Sequence, residues 1–418
     1  MPGGSRSPSE IPVITLQCDW DDVIRKVNGT VWVCCKFRGQ TSYEGKIHSQ
    51  GLSNEGIPRV TATEGFSVRA ISRSAIQVKH DDSGTTYIFQ APTGVFSGIH
   101  SKSVISLDVT SGNLCASVCT ENKLHVWDTR VGLVSRTLEG HVGDVYKCRF
   151  FPSGIVILSG GADMQLKIWS AETGQCPVTL RGHTAAITDI CMVERGRNII
   201  SFSKDGTARL WSCGEAMCLA TLLKLETTIN SCSLGIANNK MQLGEPEQSP
   251  SEHEVGTGNK VLLVGCEDGT VNCIAVQSRK KLFSLIHNSA VNCVAVLSAE
   301  QFIVGCQDGQ ILLYESQQPS EPVVKWFESN SAILCILPVK ESGFFVGKAD
   351  GTCVYHKVPV KSKDDKCRNV RVELTGPDCD PVYDISYDGT CIYTACRDAA
   401  VRKYDVTKFI SGLESFVC

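Results

Sequence analysis

The chain has 418 residues, 41 Lys and Arg against 44 Asp and Glu, a net charge of -3, 42% hydrophobic and 20% charged residues, which is ordinary for a folded protein. This balance excludes chain-wide disorder, collagen and coiled coil, and the lack of a basic excess argues against nucleic acid as the main ligand. The 22 cysteines are numerous but fall below the ~8 to 10% that marks a disulfide scaffold.

The opening MPGGSRSPSE is polar and lacks the apolar stretch of a secretory leader, so a reducing compartment is expected: the cytoplasm, and also the nucleus. No run approaches the ~18 apolar residues of a bilayer span, so no membrane association is expected. Cys418 is not fourth from the end, as prenylation requires. The sequon Asn28-Gly29-Thr30 is expected to be inert there.

Residues 1–92 carry no repeat and read as a small β-rich N-terminal module. A short helix is predicted over 19–26, with acids in its first turn and bases in its last, as the helix dipole prefers. Strands are predicted over 31–37, 43–48, 59–62, 75–79 and 86–89. The sequence leaves open whether this module docks on the remainder of the chain.

From residue 93 the chain repeats itself. GHVGDVYKCRFFPSGIVILSGGADMQLKIWS, from Gly140, and GHTAAITDICMVERGRNIISFSKDGTARLWS, from Gly182, match position by position. An acid precedes an aromatic by six positions at Glu121 and Trp127, Asp163 and Trp169, and Asp205 and Trp211. Asp268, Asp308, Asp350 and Asp398 continue the series, with Ile274, Tyr314, His356 and Tyr404 at the same offset, for seven repeats of ~42 residues. Only the step from Asp205 to Asp268 is long. Its excess falls in 236–260, rich in Gly, Pro, Ser and Glu, and is predicted to be a mobile loop in the fourth repeat.

Within each repeat the short apolar runs are strands, such as VYKCRF, IVILSG and LKIW. Asp-Gly at 205, 268, 308 and 350 supplies the residues that tight hairpins demand. Four strands per repeat describe a propeller blade. The last repeat has candidates for only three strands, while 93–99 has the character of an outer strand with no blade of its own. It is expected to complete the last blade and close the ring.

Gly-His, Ser, Asp and Trp at these offsets resemble the WD-repeat family over residues 99–406. The resemblance implies an all-β, seven-bladed WD-repeat β-propeller spanning 93–418. It also implies a buried hydrogen-bond network at His141, Ser159, Asp163 and Trp169, and at His183, Ser201, Asp205 and Trp211. A His, Ser and Asp set invites a hydrolase reading, but a catalytic triad is assembled once and this one recurs at blade spacing.

Other chemistry is scarce. Cys148, Cys191, Cys232, Cys273, Cys293 and Cys335 fall in or beside strands, where thiols act as small apolar side chains. No C-x-x-C exists, and His253-Glu254 lacks the second histidine of a zincin because Thr257 stands there. Neither a phosphate-binding G-x-x-x-x-G-K nor a G-x-S-x-G elbow is present. The expectation is a non-catalytic protein with no metal and no cofactor.

The turns bearing the recurrent His and Asp must share one face of the disc, and Asp144, Glu226, Glu267, Asp378 and Asp380 fall with them. These acids read as an unpaired acidic face that would steer a basic partner, set against the alternative of a solvated rim. A narrower resemblance covers nearly the whole chain. LEGHVGDVYKCRFFPSGIVILSGGADMQLKIWSAE, RGRNIISFSKDGTARLWSCG, LGEPEQSPSEHEVGT, ELTGPDCDPVY and GIPRVTATEGFSV are similar to the proteasomal ATPase-associated factors. That resemblance implies a chaperone, monomeric in isolation, that binds the C-terminal domain of an ATPase subunit in the base of the proteasome regulatory particle and holds an assembly intermediate. A competing resemblance is Trp127-Asp128-Thr129-Arg130, similar to the adaptor-binding motif of WD-repeat substrate receptors in cullin-RING ubiquitin ligases. Ser249-Pro250 is a candidate phosphorylation step in the loop.

Overall fold

The computed structural model describes residues 12–37, 39–246, 249–339, 343–358 and 370–407. Seven four-stranded antiparallel blades succeed one another in the chain, each ordered from its first strand to its last. Blade 2 is typical: Val145–Phe150, Val156–Gly161, Gln165–Ser170 and Val178–Arg181. The first strands of the seven blades are Val104–Val109, Val145–Phe150, Ile187–Val193, Ile229–Ile236, Val291–Val296, Ile333–Val339 and Val382–Tyr387. Each lies beside the next, and the last lies beside the first, so these strands line a central channel. Apolar residues from facing blades fill the wedges between sheets, as where Ile187, Ile190 and Ile199 of blade 3 meet Leu158, Leu166 and Leu180 of blade 2.

Ring closure agrees with the sequence expectation. Gly94–Phe96 pairs with Val401–Asp405, Val401 opposite Phe96, as the fourth strand of blade 7. The backbone N–H and the hydroxyl of Thr93 both donate to the Lys403 carbonyl, at 2.7 and 3.1 Å. Closure by hydrogen bonds covers the edge of Val401–Asp405 and gives blade 7 its fourth strand.

The N-terminal module is two sheets face to face. Val13–Leu16, Thr30–Lys36, Tyr43–Leu52 and Pro58–Ala62 form one, and Phe66–Ile71, Ala75–His80 and Thr86–Gln90 belong to the other. Trp20, Val33, Ile47, Val78 and Phe89 meet between them. The strands Val13–Leu16 and Phe66–Ile71 are additional to those predicted from sequence. The helix is shorter than predicted, Trp20–Ile24. The chain turns back so tightly behind it that a Cβ at Gly29 would sit 2.0 Å from the Val23 carbonyl oxygen. No helix among the described residues is long and apolar enough to cross a membrane.

The docking that the sequence left open is a continuous sheet. Thr86–Gln90 pairs in parallel with Val370–Leu374, the outer strand of blade 6, so blade 6 runs on into the module as seven strands. Trp20 adds a side-chain anchor, its Nε1–H donating to Thr375 Oγ1 at 2.9 Å.

Blade 6 has exchanged the repeat's usual interior for charge. Glu328 stands 22 residues before Asp350, the place His141 holds before Asp163, and His356 takes the tryptophan position. Lys348 and Arg371 both donate to buried Glu328, and Arg371 also reaches Tyr87 Oη of the module at 3.2 Å. Burial alone would raise Glu328, but Lys348 and Arg371 outweigh it and hold the carboxyl well below its ordinary range. Glu373, on the strand that joins the module, is different: burial pushes it up to about 8 against the pull of Lys348.

The long loop of the fourth blade joins Ile229–Ile236 to Lys260–Cys266. Its described residues are held against the body, where composition suggested a freely mobile segment. The Val255 N–H donates to Asn198 Oδ1 at 2.7 Å, Asn198 Nδ2 donates to the His253 carbonyl at 3.0 Å, and buried Glu254 pairs with Arg279. Polar residues that look solvated in sequence here find partners on neighbouring strands.

Because folded Glu373 keeps a proton that the unfolded chain releases near pH ~4.3, stability should fall as pH rises from there towards 8. Glu373→Gln removes that dependence. Thermal melts between pH 5.5 and 8 should show a flatter profile and a gain on the order of 1 to 3 kcal/mol at pH 7; an unchanged slope would contradict a buried, protonated Glu373.

Candidate functional site

In blades 2 and 3 the recurrent residues meet as the repeat pattern implied. His141 Nδ1 lies 2.9 Å from Asp163, its Nε2 lies 2.7 Å from Ser159 Oγ, and Trp169 Nε1–H donates to that oxygen at 2.8 Å. His183, Asp205, Ser201 and Trp211 repeat the arrangement at 2.9, 2.7 and 2.8 Å. Burial lowers both histidines, against the pull of their aspartates. A neutral ring therefore donates from Nδ1 to Asp and accepts at Nε2 from the serine hydroxyl, whose oxygen accepts from indole. Asp205 also accepts from the Thr184 and Thr207 N–H groups and the Thr207 hydroxyl. These bonds pin one turn to the next, and both serines are fully buried.

The other blades depart from this set in ways side-chain length explains. In blade 1 His100 Nε2 reaches Ser117 at 2.6 Å and Trp127 donates to Ser117 at 2.9 Å. Glu121, one methylene longer than Asp, instead accepts from Ser101 at 2.6 Å, leaving His100 Nδ1 buried without a partner. Burial and neighbouring His125 push His100 down to about 3. In blade 5 His287 Nε2 meets Tyr314 Oη directly at 2.9 Å, because tyrosine carries its own hydroxyl and needs no serine between.

The channel holds a second polar system that the sequence expectations did not include. Polar residues at alternate positions of one first strand bond to N–H groups on the inner edge of the next. Asp384 and Ser386 of blade 7 accept from Leu107 and Val109 of blade 1 at 3.2 Å each, and Ser106 and Asp108 accept from Cys148 and Phe150 of blade 2 at 3.3 and 2.7 Å. Asp189 accepts from Cys232 at 2.9 Å, and Ser231 and Ser233 accept from Val294 and Val296 at 3.3 and 3.0 Å. Arg149 reaches past blade 1 to Asp384 at 3.0 Å, with Lys147 at 3.4 Å from the same carboxylate. Burial would raise Asp384, yet Arg149 and Lys147 outweigh it and hold the carboxyl low. The signal was present in sequence as polar pairs two apart: Ser106 and Asp108, Lys147 and Arg149, Ser231 and Ser233, Asp384 and Ser386.

Each first strand enters its blade through a β-bulge. The extra residue is Ile105, Tyr146, Thr188, Asn230, Asn292, Leu334 and Tyr383 in turn, at the channel mouth on the face that carries His141 and Asp163. Bulges re-aim side chains in this way. Thr188, Asn230 and Asn292 are bonded to the carbonyl of the next blade, at 2.6, 3.1 and 3.0 Å. The half-buried Ile105, Tyr146, Leu334 and Tyr383 complete the rim, and Val142 beside it is 80% exposed.

The five acids lie in loops of that same face, but they are neither clustered nor all unpaired. Asp144 precedes blade 2, Glu226 and Glu267 belong to blade 4, and Asp378 and Asp380 lie between blades 6 and 7. Arg397 Nε lies 2.8 Å from Asp380, and Asn230 Nδ2 donates to Glu267 at 2.7 Å. The sequence placed these acids on one face but could not see the cation or amide that the neighbouring turn brings up. Asp378 is exposed and sits beside Cys18 of the N-terminal module, helping, after burial, to raise that thiol. In the Trp127-Asp128-Thr129-Arg130 stretch, Arg130 folds back on Asp128. Burial raises the thiols of Cys232, Cys273, Cys293 and Cys335, and that of Cys148 to about 12, and no group of His, Cys, Asp and Glu among the described residues is arranged to hold a metal ion.

The sequence profile of the WD domain, G-beta repeat, matches residues 132–170 and 174–212, the two stretches that carry the complete sets of blades 2 and 3. A profile described as LRRK2 beta propeller matches 223–413, the stretch that holds blades 4 to 6 and three strands of blade 7. Proteins named Proteasomal ATPase-associated factor 1 are 45% identical in Homo sapiens, 44% in Bos taurus and 43% in Gallus gallus, each over 94% of this chain and 98% of that protein. The chain belongs to the proteasomal ATPase-associated factor family. Membership in this family of associated factors extends across nearly the whole chain, beyond the WD repeats themselves.

Asp205→Ala should cost on the order of 1 to 3 kcal/mol by stranding buried donors. Glu121→Ala, which touches no buried histidine, should cost much less. Urea denaturation of the two variants side by side checks this, and equal losses would contradict the difference drawn between blades 1 and 3.

Proposed function

We propose that this chain is a non-catalytic scaffold that acts as an assembly chaperone of the proteasome regulatory particle, binding the C-terminal domain of a base ATPase subunit in the cytoplasm and nucleus. The observation that carries the reading is 43 to 45% identity, over 94% of the chain, to proteins named as proteasomal ATPase-associated factors. The channel mouth supports it physically. Tyr146, Tyr383, Leu334 and Ile105 offer large side chains of the kind that anchor protein interfaces, and exposed Asp378 and half-paired Asp380 flank them with charge for a basic partner. The serine oxygens of the buried sets are engaged by indole and imidazole, which withdraws these hydroxyls from nucleophilic chemistry.

Affinity purification from cytosol, then mass spectrometry, should recover base ATPases without a cullin adaptor. A cullin adaptor without ATPases would overturn the reading in favour of a ubiquitin-ligase receptor. Replacing Asp378 and Asp380 together by Lys should weaken ATPase capture about tenfold or more while moving the melting temperature little, since Asp378 is exposed and the Asp380–Arg397 pair is a surface ion pair of little worth to folding. Undiminished capture would remove these two acids from the contact surface.

A further inference from the structure

The inserted loop of blade 4 lies on the opposite face of the disc from the recurrent His and Asp, together with the turns that lead into the outer strands of blades 4 and 5. Between them runs an open groove of about 470 Å³. Its floor is apolar, from Met241, Leu282 and Phe283, and Lys240 of the insertion and Lys280 of the adjoining turn both line it. Gln242 and Gln317 add neutral amides, and no carboxylate lines it. Both lysines are exposed, and no carboxylate among the described residues pairs with either.

The groove is a built feature. Buried Glu254 of the inserted loop grips Arg279, whose guanidinium also donates to the Gln277 carbonyl at 3.0 Å. That clamp fixes the turn ending in Lys280, where Arg279 is held at φ 63°. The Ser278 hydroxyl ties the same turn to the Leu243 carbonyl in the loop. Met241 and Leu243 are packed against the apolar cluster that includes Phe283 and Phe302. One wall is thus supplied by the insertion, and it is locked to the blade by an ion pair, a hydrogen bond and apolar contacts. Little of its order remains to be imposed by a ligand, which favours affinity.

We propose that this groove is a second docking site, which takes an acidic protein segment carrying a large apolar side chain. The apolar residue would lie on Met241, Leu282 and Phe283, where a methionine surface adapts to different shapes. Flanking carboxylates would meet Lys240 and Lys280, and the glutamine amides would bond to its backbone. The site is chemically the converse of the channel mouth: it selects acid where the mouth presents acid. The scaffold can therefore hold two partners on opposite faces at once.

A phage-displayed random peptide library selected on the full chain, with counter-selection on the Lys240→Glu/Lys280→Glu variant, tests this. Enriched peptides should carry two or more acids around Leu, Phe or Met. A fluorescein-labelled synthetic copy of the leading sequence should bind the wild-type chain in anisotropy titrations, weaken with added salt, and lose about tenfold or more in affinity for the double variant. Lys240→Gln/Lys280→Gln should fall between, and guards against misfolding of the reversed variant. The double replacement of Asp378 and Asp380 by Lys should leave this binding unchanged, so that failure here is distinct from failure of the ATPase reading. Enrichment of basic or neutral peptides, or equal affinity for both proteins, would overturn the proposal. So would sedimentation of the wild-type chain, but not the double variant, with phosphatidylserine vesicles when no peptide is enriched, which would assign the groove to lipid headgroups.

Discussion

Seven first strands surround the channel, and each has a ladder partner on one side only. Alternate N–H groups along their inner edges have no ladder acceptor, and one left buried and unpaired would cost roughly 1 to 3 kcal/mol. Side chains of the preceding blade supply the acceptors: Asp384 and Ser386 for blade 1, Ser106 and Asp108 for blade 2, Asp189 for blade 4, Ser231 and Ser233 for blade 5. At these four junctions the ring is therefore stitched from within by residues that look like isolated polar interruptions of apolar strands. Asp384 is the central member, because it also pairs with Arg149 and Lys147 from blade 2 and so ties the last blade across the closure to the first two.

Outside this hub each blade solves a second problem, how to hold the turn that enters it. Blades 2 and 3 use His, Asp, Ser and Trp in a fully satisfied chain. Blade 1 loses one link when glutamate replaces aspartate, and blade 5 shortens the chain with tyrosine. Blade 6 abandons it for Glu328, Lys348 and Arg371, and this is the blade whose outer strand must also carry the N-terminal module. Charge there links the propeller to Tyr87 of the module. The same strand buries Glu373 as the neutral acid, avoiding a second negative charge near Glu328.

The two faces differ in origin as well as chemistry. The mouth face is made by features common to all blades, a bulge and two turns apiece, and its character comes from which residue occupies each bulge. The opposite face is individual, because the insertion of blade 4 exists once. A polar, glycine-rich insertion is easily read as a solvated segment. Asn198 and Arg279, far from it in sequence, give its backbone and Glu254 partners, and it becomes a wall.

Period alone determined much of this molecule. Acids recurring every ~42 residues, Asp-Gly hairpins and a last repeat with only three strands sufficed for seven blades and for closure by Gly94–Phe96, since strand length and turn chemistry are local properties. The hydrogen-bond sets of blades 2 and 3 were legible for the same reason, being fixed offsets within one repeat. What required tertiary structure were relations between segments distant in the chain. The parallel pairing of Thr86–Gln90 with Val370–Leu374, the Arg397 that neutralises Asp380, and the reach of Arg149 to Asp384 each depend on which residues the closed ring brings opposite one another. A repeat specifies its own blade, but charge pairing across blades and the docking of a non-repeating module are set only when the ring is closed.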